Sequence, residues 1–439
     1  MILLDYANFD AAMLRDAFGA PEYSYRFVKI AFERVLERVG RRIEVRDPAR
    51  EVDAIWRAAR SRGEPCVFLP FCPPNTMPLG LACPTLPVFA WEYDTLPNEV
   101  WNDNPREDWS WVLRETDGVI THCRSAAEAI HRSMGESFPV AVIPAPLFER
   151  YAARGTKPRG WRAPFDLVIE GGLALSAGEI DLSPFRPDRP REAAIHALRV
   201  LEQAAAADRP AQRLRLEGVI YTSVLNAFDG RKNWRDLTAG FVWAFRDTPT
   251  ATLILKLTRF DVADGLLPVL EHLSTLGPFA CRVVLIQGLL AEPAYQALID
   301  ATSYALNTAY GEGQCLPLME YMAAGRPAVA PAHTAMLDYL SPKNGFVIAS
   351  EPSPASWPHD ERRALRCRHQ RISFADYVRQ CRESYRVARE DGASYARMSA
   401  AAVSSLKSFC SEEVAATRLA EVLKPLTSPS ARSALKGTI

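Results

Sequence analysis

The chain has 439 residues, which is too long for one ordinary hydrophobic core and about right for two. Its 52 basic residues balance its 52 acidic residues, and this zero net charge argues against a nucleic-acid-binding protein, which usually carries a basic surplus. The hydrophobic fraction of 48% and the charged fraction of 24% are typical of folded proteins and exclude disorder of the bulk of the chain.

From the sequence we expect neither a targeting segment nor a membrane span. No apolar run approaches the roughly 18 residues of a spanning helix, and the N-terminus lacks the basic start of a signal peptide. Nine scattered cysteines, with no CxxC pair and no histidine at zinc spacing, argue against a disulfide framework or structural zinc. We therefore expect a cytoplasmic protein.

Short apolar runs alternate with longer amphipathic ones in residues 1–150. A helix is predicted at 25–39, where apolar residues recur four apart. The predicted strands are 42–46, 66–71, 88–91, 119–122 and 140–143. Alternation of this kind predicts a Rossmann-like domain, with a parallel sheet covered by helices on both faces.

Residues 151–215 are rich in Pro and Arg and are interpreted as a connection with a small insertion, a hairpin within 166–182. A second Rossmann-like domain is predicted over 216–372. Its predicted strands are 219–224, 252–257, 282–286, 304–307, 328–330 and 346–349, and its predicted helices are 234–245, 263–273, 293–301 and 316–324. Helices are expected over 373–425 and a loose tail over 426–439.

The most informative segment runs from Asn307 to Pro331. A short strand ends at Asn307, a Gly-Glu-Gly loop follows, and a helix begins with Pro317 in its first turn. Such a loop offers backbone N–H groups and the positive end of the helix dipole, which suits a diphosphate. Glu312 and Glu320, eight positions apart, bracket this anion site and can accept hydrogen bonds from sugar hydroxyls.

This segment resembles the Glu-(seven residues)-Glu motif of retaining glycosyltransferases of family 4, which have the GT-B fold. The agreement extends to Gly313, Leu316-Pro317, Met322-Ala323 and Gly325-Arg326-Pro327. The resemblance implies that Glu312 contacts the donor sugar and Glu320 the nucleotide ribose. It also implies that the amides of Gly313 and Gln314 meet the diphosphate, with Cys315 and Leu316 beside them. The alternative is a helix-capping acid and a surface acid on an ordinary α/β unit.

A second similarity to the family lies upstream. The strand 219–225 is followed by Asn226 and then by Arg231-Lys232. In the family, an arginine at the strand end and a later lysine bind the donor phosphates. Lys232 fits the lysine, whereas Asn226 departs from the arginine, and Arg231 is expected to supply the missing charge. Lys256, at the end of the next predicted strand, is a weaker candidate for the same task. The alternative is a solvated Arg-Lys pair in a loop.

The acceptor side has no equivalent motif. The family keeps a cleft-lining histidine after the strand at 88–91, and this chain has none there. Aromatic and acidic residues at that place can stack on a sugar and bind its hydroxyls, and the expected acceptor-binding residues are Trp91, Glu92, Tyr93, Asp94, Asn75 and His122. The competing interpretations are core packing for the aromatic residues and a buried structural role for His122.

These observations lead to one functional hypothesis and two alternatives. The resemblance implies a GT-B protein with two domains facing across a cleft and C-terminal helices crossing back. It implies a retaining, metal-independent glycosyltransferase of the hexosyltransferase type, with no cofactor besides its nucleoside diphosphate sugar. The acceptor would be a glycan or lipid-linked glycan of bacterial surface polysaccharide synthesis, such as lipopolysaccharide. The two alternatives that stay open are a catalytically silent GT-B-like binding protein and a nucleotide-sugar epimerase.

Basic stretches at 24–50 and 361–390 are interpreted as solvated faces, with peripheral membrane contact as the alternative.

Overall fold

A computed structural model describes residues 1–8, 23–152, 157–170, 172–207, 211–258, 262–358 and 360–427. The strands are β1 (Ile2–Ala7), β2 (Arg41–Glu44), β3 (Cys66–Phe71), β4 (Val119–Thr121), β5 (Val140–Val142), β6 (Arg162–Glu170), β7 (Leu173–Ser176), β8 (Ala211–Leu225), β9 (Ala251–Leu257), β10 (Arg282–Gln287), β11 (Tyr304–Leu306), β12 (Ala328–Pro331), β13 (Gly345–Ile348), β14 (Ser350–Ser356) and β15 (Arg366–Ile372). The helices are α1 (Tyr23–Val39), α2 (Pro48–Arg60), α3 (Trp109–Arg114), α4 (Arg124–Met134), α5 (Phe148–Ala152), α6 (Arg191–Ala207), α7 (Trp234–Phe245), α8 (Val262–Thr275), α9 (Glu292–Ala301), α10 (Leu316–Ala323), α11 (Phe374–Glu390), α12 (Gly392–Cys410) and α13 (Glu412–Leu423).

The N-terminal sheet is parallel throughout. Strand β1 pairs with β2 on one side and β3 on the other, and β4 pairs with β5. Val88 makes single bridges to both β3 and β4, and Thr85 makes one to β3. The strand predicted at 88–91 is therefore wrong as a regular strand, and Pro84 and Pro87 supply the reason, because proline cannot donate to a ladder.

The C-terminal sheet has the strand order of a dinucleotide-binding fold. Its strands run in the order β13-β12-β11-β8-β9-β10-β7, and the six strands from β13 to β10 are parallel. The first of these along the chain, β8, lies in the middle, so successive strands extend first to one side and then to the other. This reversal creates a crevice at the carboxyl ends of β8 and β11, where ligands bind in doubly wound sheets.

The segment at 151–215 contributes directly to the C-terminal sheet. Strand β6 pairs antiparallel with the first half of β8, and β7 pairs antiparallel with β10. The predicted hairpin within 166–182 is therefore wrong, since its two strands pair with different partners. At the change of partners in β8, Gly218 has a φ of +82°, and a Cβ there would lie 2.0 Å from the carbonyl oxygen of Thr250.

The two domains are joined by more than their linker. The hairpin β14–β15, missed at the sequence level, reaches the N-terminal domain, where Trp357 packs against Trp91 and Trp109 at ring distances of 5.4 and 5.9 Å. The C-terminal helices cross back as expected: α12 packs on α10, and α13 packs its Leu419 among α1 residues such as Phe32. Residues 424–427 form a short 3-10 helix, and the rest of the predicted tail lies outside the described residues.

Candidate active site

The candidate site is built from loops at the carboxyl edge of the C-terminal sheet. One loop follows β8 and carries Arg231 and Lys232, and the other follows β11 and carries Glu312. Because β8 and β11 are neighbours in the sheet, these loops meet although they are about 80 positions apart in sequence. The site thus lies at the crevice where the strand order reverses.

Glu312 is the centre of this site. Its side chain is buried and accepts hydrogen bonds from Lys232 Nζ at 2.8 Å, from Arg231 Nη1 at 2.9 Å and from Asn307 Nδ2 at 3.3 Å. Burial alone would raise the pKa of Glu312, but the two cations outweigh this effect and lower the pKa to about 2. The carboxylate is therefore ionised and its geometry is fixed by three donors.

Arg231 connects this centre to the opposite domain. Its guanidinium also donates to Asp229 Oδ2 at 2.9 Å and to the carbonyl oxygen of Gly311 at 2.7 Å, and it lies 3.5 Å from Glu92 of the N-terminal domain. Two cations thus face three carboxylates. Burial raises the pKa of Glu92, against the opposing effect of Arg231.

The loop after β8 is shaped to present its cations. Asp229 caps the short 3-10 helix at 230–232 by accepting a hydrogen bond from the backbone N–H of Arg231 at 3.1 Å. Asn233 then takes a left-handed φ of +48°, which lets the chain turn directly into α7. Asn226, at the start of this loop, accepts a hydrogen bond from the N–H of Phe228 at 3.0 Å.

The entry to α10 forms the floor of the site. Cys315 is its N-cap with a φ of +60°, and its sulfur accepts a hydrogen bond from Asn307 Nδ2 at 3.2 Å. Burial raises the pKa of the Cys315 thiol. The Gln314 side chain accepts from the backbone of Ala145 at 2.8 Å, and Leu316 packs against both domains. The N-terminal loop covers this entry closely, since a Cβ at Gly313 would lie 2.8 Å from that of Ala90.

Glu320 lies in α10, eight positions after Glu312, and belongs to a second polar cluster. It is half-buried and accepts hydrogen bonds from the hydroxyls of Tyr295 and Tyr151, with Lys256 nearby. Burial raises the pKa of Glu320, against the opposing hydrogen bonds. Burial also lowers the pKa of Lys256 to about 8, although Glu320 counters it. Between the two clusters, β8, β11 and α10 line a cavity with room for about one water molecule.

No protein-family model matches the sequence, and no curated protein matches it. Solved structures do resemble it. HepE from Anabaena, in complex with UDP and glucose, has a TM-score of 0.51 at 13% identity, over 97% of this chain and 99% of HepE. Sucrose-phosphate synthase from Thermosynechococcus elongatus has a TM-score of 0.51 at 14% identity, over 97% and 98% of the two chains. At such identities the likeness concerns the fold. The chain has the GT-B fold.

Another structural match is shorter. TarM from S. aureus, in a variant crystallised with UDP, aligns over 81% of this chain at 10% identity with a TM-score of 0.49. This chain spans 55% of the length of TarM.

On the N-terminal side of this GT-B cleft, the structure places Trp91 and Tyr93 in the core, as in the core-packing interpretation, and their sugar-stacking role stays a prediction. Trp91 is 2% exposed, and its ring packs edge-on against Trp109 at 4.9 Å. Tyr93 is 5% exposed and packs against Trp91 at 5.6 Å. Neither ring presents a face to solvent, because the hairpin β14–β15 closes over them with Trp357.

His122 is likewise a core residue, as in the interpretation of a buried structural role, and its acceptor contact stays a prediction. It is 1% exposed, its Nδ1 lies 2.9 Å from the carbonyl oxygen of Ile143, and burial lowers its pKa to about 4. Asp94 holds the hairpin, because its carboxylate accepts a hydrogen bond from the N–H of Arg368 at 2.7 Å. Asn75 lies in a 3-10 turn beyond β3, and its acceptor-binding role stays a prediction. Glu92 is the acceptor-side residue that the fold brings to the centre.

Several residues of the site were missed at the sequence level. Asp229 and Asn307 bind Arg231 and Glu312 directly, and each could have been found as the polar residue flanking a strand end or a glycine turn. Thr334 accepts a hydrogen bond from the N–H of Glu312, and His333 lies beside it. These two residues follow a different strand, β12, so local spacing did not connect them to Glu312.

Within the described ranges, no three His, Cys, Asp or Glu side chains are grouped as metal ligands. No helix in the same part of the chain is long and apolar enough to span a bilayer.

Proposed function

We propose that this chain is a retaining glycosyltransferase that moves a hexose from a nucleoside diphosphate sugar to a hydroxyl of a glycan or lipid-linked glycan. The observation that carries the proposal is the convergence of Lys232 and Arg231 on Glu312 at the crevice between β8 and β11. We further propose a place in bacterial surface polysaccharide synthesis, such as lipopolysaccharide, in the cytoplasm.

The chemistry of the donor explains why this arrangement suits it. When the bond between the anomeric carbon and the diphosphate breaks, negative charge develops on the leaving group. Lys232 and Arg231 supply fixed positive charge, and the N-terminus of α10 supplies backbone N–H groups. The backbone amides of Gly313 and Gln314, immediately before α10, are the further proposed donors to the diphosphate. These donors need no metal ion to bind a diphosphate, so we propose metal-independent transfer.

The reaction is proposed to proceed from the front face of the sugar. The anomeric C–O bond to the diphosphate breaks, the acceptor oxygen bonds to the same carbon, and a phosphate oxygen takes the acceptor proton. Glu312 would hold the donor sugar while Glu320 binds the ribose. This route requires no protein base, which agrees with the neutral, buried state of His122.

Donor binding requires the N-terminal loop to move. Backbone and side-chain atoms of 90–92 pack directly against Gly311 and Gly313, where a Cβ would lie 2.8 Å from its neighbour in each case. We therefore propose that the domains separate to admit the donor and close again over donor and acceptor, which excludes water from the reaction.

The test is calorimetric titration of the wild type and Glu320→Gln with UDP-, GDP-, ADP- and dTDP-sugars and the free diphosphates. We expect one nucleotide family to bind in the micromolar range and Glu320→Gln to weaken it by about 1–3 kcal/mol. The control is Glu351→Gln, which changes an exposed glutamate of β14 and should bind as the wild type does.

The outcomes separate the alternatives. Binding followed by sugar release only when an acceptor is present supports the transferase, whereas conversion of the donor sugar without acceptor identifies an epimerase. A folded wild type that binds no member of the panel would leave the catalytically silent protein as the answer.

A further inference from the structure

Left-handed backbone is concentrated at the candidate site. The described residues include six non-glycine positions with positive φ, and three of them, Asn233, Cys315 and Thr334, border Glu312 and Lys232. They lie in three different loops, after β8, β11 and β12. Strain of this kind persists only where surrounding contacts hold it, and it gathers at functional sites.

Thr334 is the most unusual of the three. Its φ is +46°, and a β-branched residue in this region is a genuine outlier because its side chain crowds the backbone. Asparagine, as at position 233, tolerates the same conformation more easily. Thr334 begins the short 3-10 helix at 334–338 immediately after the buried His333. The fold therefore keeps a residue here that its backbone does not favour.

The contacts of Thr334 supply a reason. Its hydroxyl oxygen accepts a hydrogen bond from the backbone N–H of Glu312 at 3.0 Å, and the N–H of Ala335 donates to the carbonyl oxygen of Glu312 at 3.2 Å. Both peptide groups of Glu312 are thus tied to the loop after β12. Its carboxylate is tied separately to Lys232 and Arg231.

His333 completes the arrangement. Its Nδ1 lies 3.2 Å from the Thr334 hydroxyl, and burial lowers its pKa to about 4, against the opposing charge of Glu312. A neutral imidazole with its proton on Nε2 accepts the hydroxyl hydrogen at Nδ1. The hydroxyl can then donate to His333 while it accepts from Glu312, so one rotamer of Thr334 satisfies both neighbours.

We propose that Thr334 is a positioning residue for Glu312: its strained backbone aims the hydroxyl that fixes where the Glu312 carboxylate stands between the two cations. The inference rests on the proposed function, because the position of Glu312 matters for donor binding and transfer. Small misplacements of a group that holds substrate are costly, and losses of about 10- to 100-fold are typical.

The test compares three substitutions at this position. Thr334→Ser keeps the hydroxyl, Thr334→Val keeps the shape without it, and Thr334→Gly removes both the hydroxyl and the strain. For each variant we would measure Tm, the affinity for the tightest binder among UDP-, GDP-, ADP- and dTDP-sugars, and the turnover of that sugar nucleotide. The matched control is Arg363→Gly, which relieves left-handed backbone at an exposed position of the β14–β15 hairpin.

We expect Thr334→Ser to stay within about threefold of the wild type and Thr334→Val to lose about 10- to 100-fold in kcat/KM. Thr334→Gly should raise Tm and still lose activity as Thr334→Val does, whereas Arg363→Gly should raise Tm alone. A residue with a merely structural role would instead lose activity only in step with Tm.

Two results would overturn the inference in distinguishable ways. If the wild type binds and turns over a nucleotide sugar and Thr334→Val does so equally well, the positioning role is wrong and the proposed function stands. If the folded wild type binds no sugar nucleotide, the proposed function fails and this inference fails with it.

Discussion

The residues predicted from the sequence lie in different environments on the two sides of the cleft. On the C-terminal side, one motif predicts Arg231 and Lys232 and another predicts Glu312, and both cations donate hydrogen bonds to Glu312. On the N-terminal side, Trp91 and Tyr93 were singled out as a sugar platform and lie in the core. Residues placed at the carboxyl ends of neighbouring parallel strands must meet, whereas aromatic residues near a strand end carry no such constraint.

The largest expected effect tests the N-terminal side. Trp91→Ala should lower the free energy of unfolding by about 3–5 kcal/mol, because it empties a site packed by Trp109 and Trp357. Urea unfolding followed by circular dichroism measures this, with Trp243→Ala as the control at a residue that is 62% exposed. A Trp91→Ala protein as stable as the wild type would favour the sugar-platform interpretation over core packing.

The stability of the protein should depend on pH through one histidine on each side of the cleft. His122 and His333 each have a pKa lowered by burial to about 4, against about 6.5 in the unfolded chain. Their contribution to stability is present above pH 6.5 and is lost as the pH falls towards 4, at about 1.4 kcal/mol per pH unit for each histidine.

Urea unfolding at pH 7, 6 and 5 checks this, with His122→Gln and His333→Gln each expected to flatten the slope. Burial raises the pKa of Glu92 and Glu320, so these groups act in the opposite sense, and the comparison of variants isolates the histidines. A variant with the slope of the wild type would show that its histidine is not held neutral.

On the C-terminal side, Lys232→Met should lower kcat/KM for the bound nucleotide sugar by about 100-fold, or ~2.7 kcal/mol, because one of the two cations beside Glu312 is lost. Lys343→Met changes an exposed lysine and serves as the control. Steady-state kinetics of the folded variants measures this. If Lys232→Met and Lys343→Met have equal kcat/KM, Lys232 does not belong to the donor site.

The smallest effect concerns the contact between the two sides. Glu92→Gln should tighten binding of the free nucleoside diphosphate by up to about 1 kcal/mol, since it removes one of three carboxylates around two cations and frees Arg231. Glu99→Gln is the matched control, because Glu99 also pairs across the domains, with Arg362 at 3.4 Å. If calorimetry instead shows weaker binding in Glu92→Gln alone, Glu92 contacts the ligand and does not compete with it for Arg231.

The regular elements of the C-terminal sheet were predictable because buried parallel strands are continuous apolar runs. The runs at 252–257 and 282–286 match β9 and β10 within one residue at each end. Strand β1 and the β14–β15 hairpin were missed, and the two hairpin strands consist mostly of polar, charged and proline residues with few apolar ones. Its strands are held by packing against the other domain rather than by their own pattern.

The sequence by itself determined the two α/β halves, the Gly-Glu-Gly loop with its helix, and the charged pair after β8, because these follow from local spacing and composition. Only the tertiary structure decided that Arg231 faces Glu92, that Trp91 is buried under Trp357, and that Thr334 bonds to Glu312. Each of these contacts joins segments from different strands or domains. The physical reason is that burial and ion pairing depend on which segments the topology brings together, and no periodicity along the chain records that.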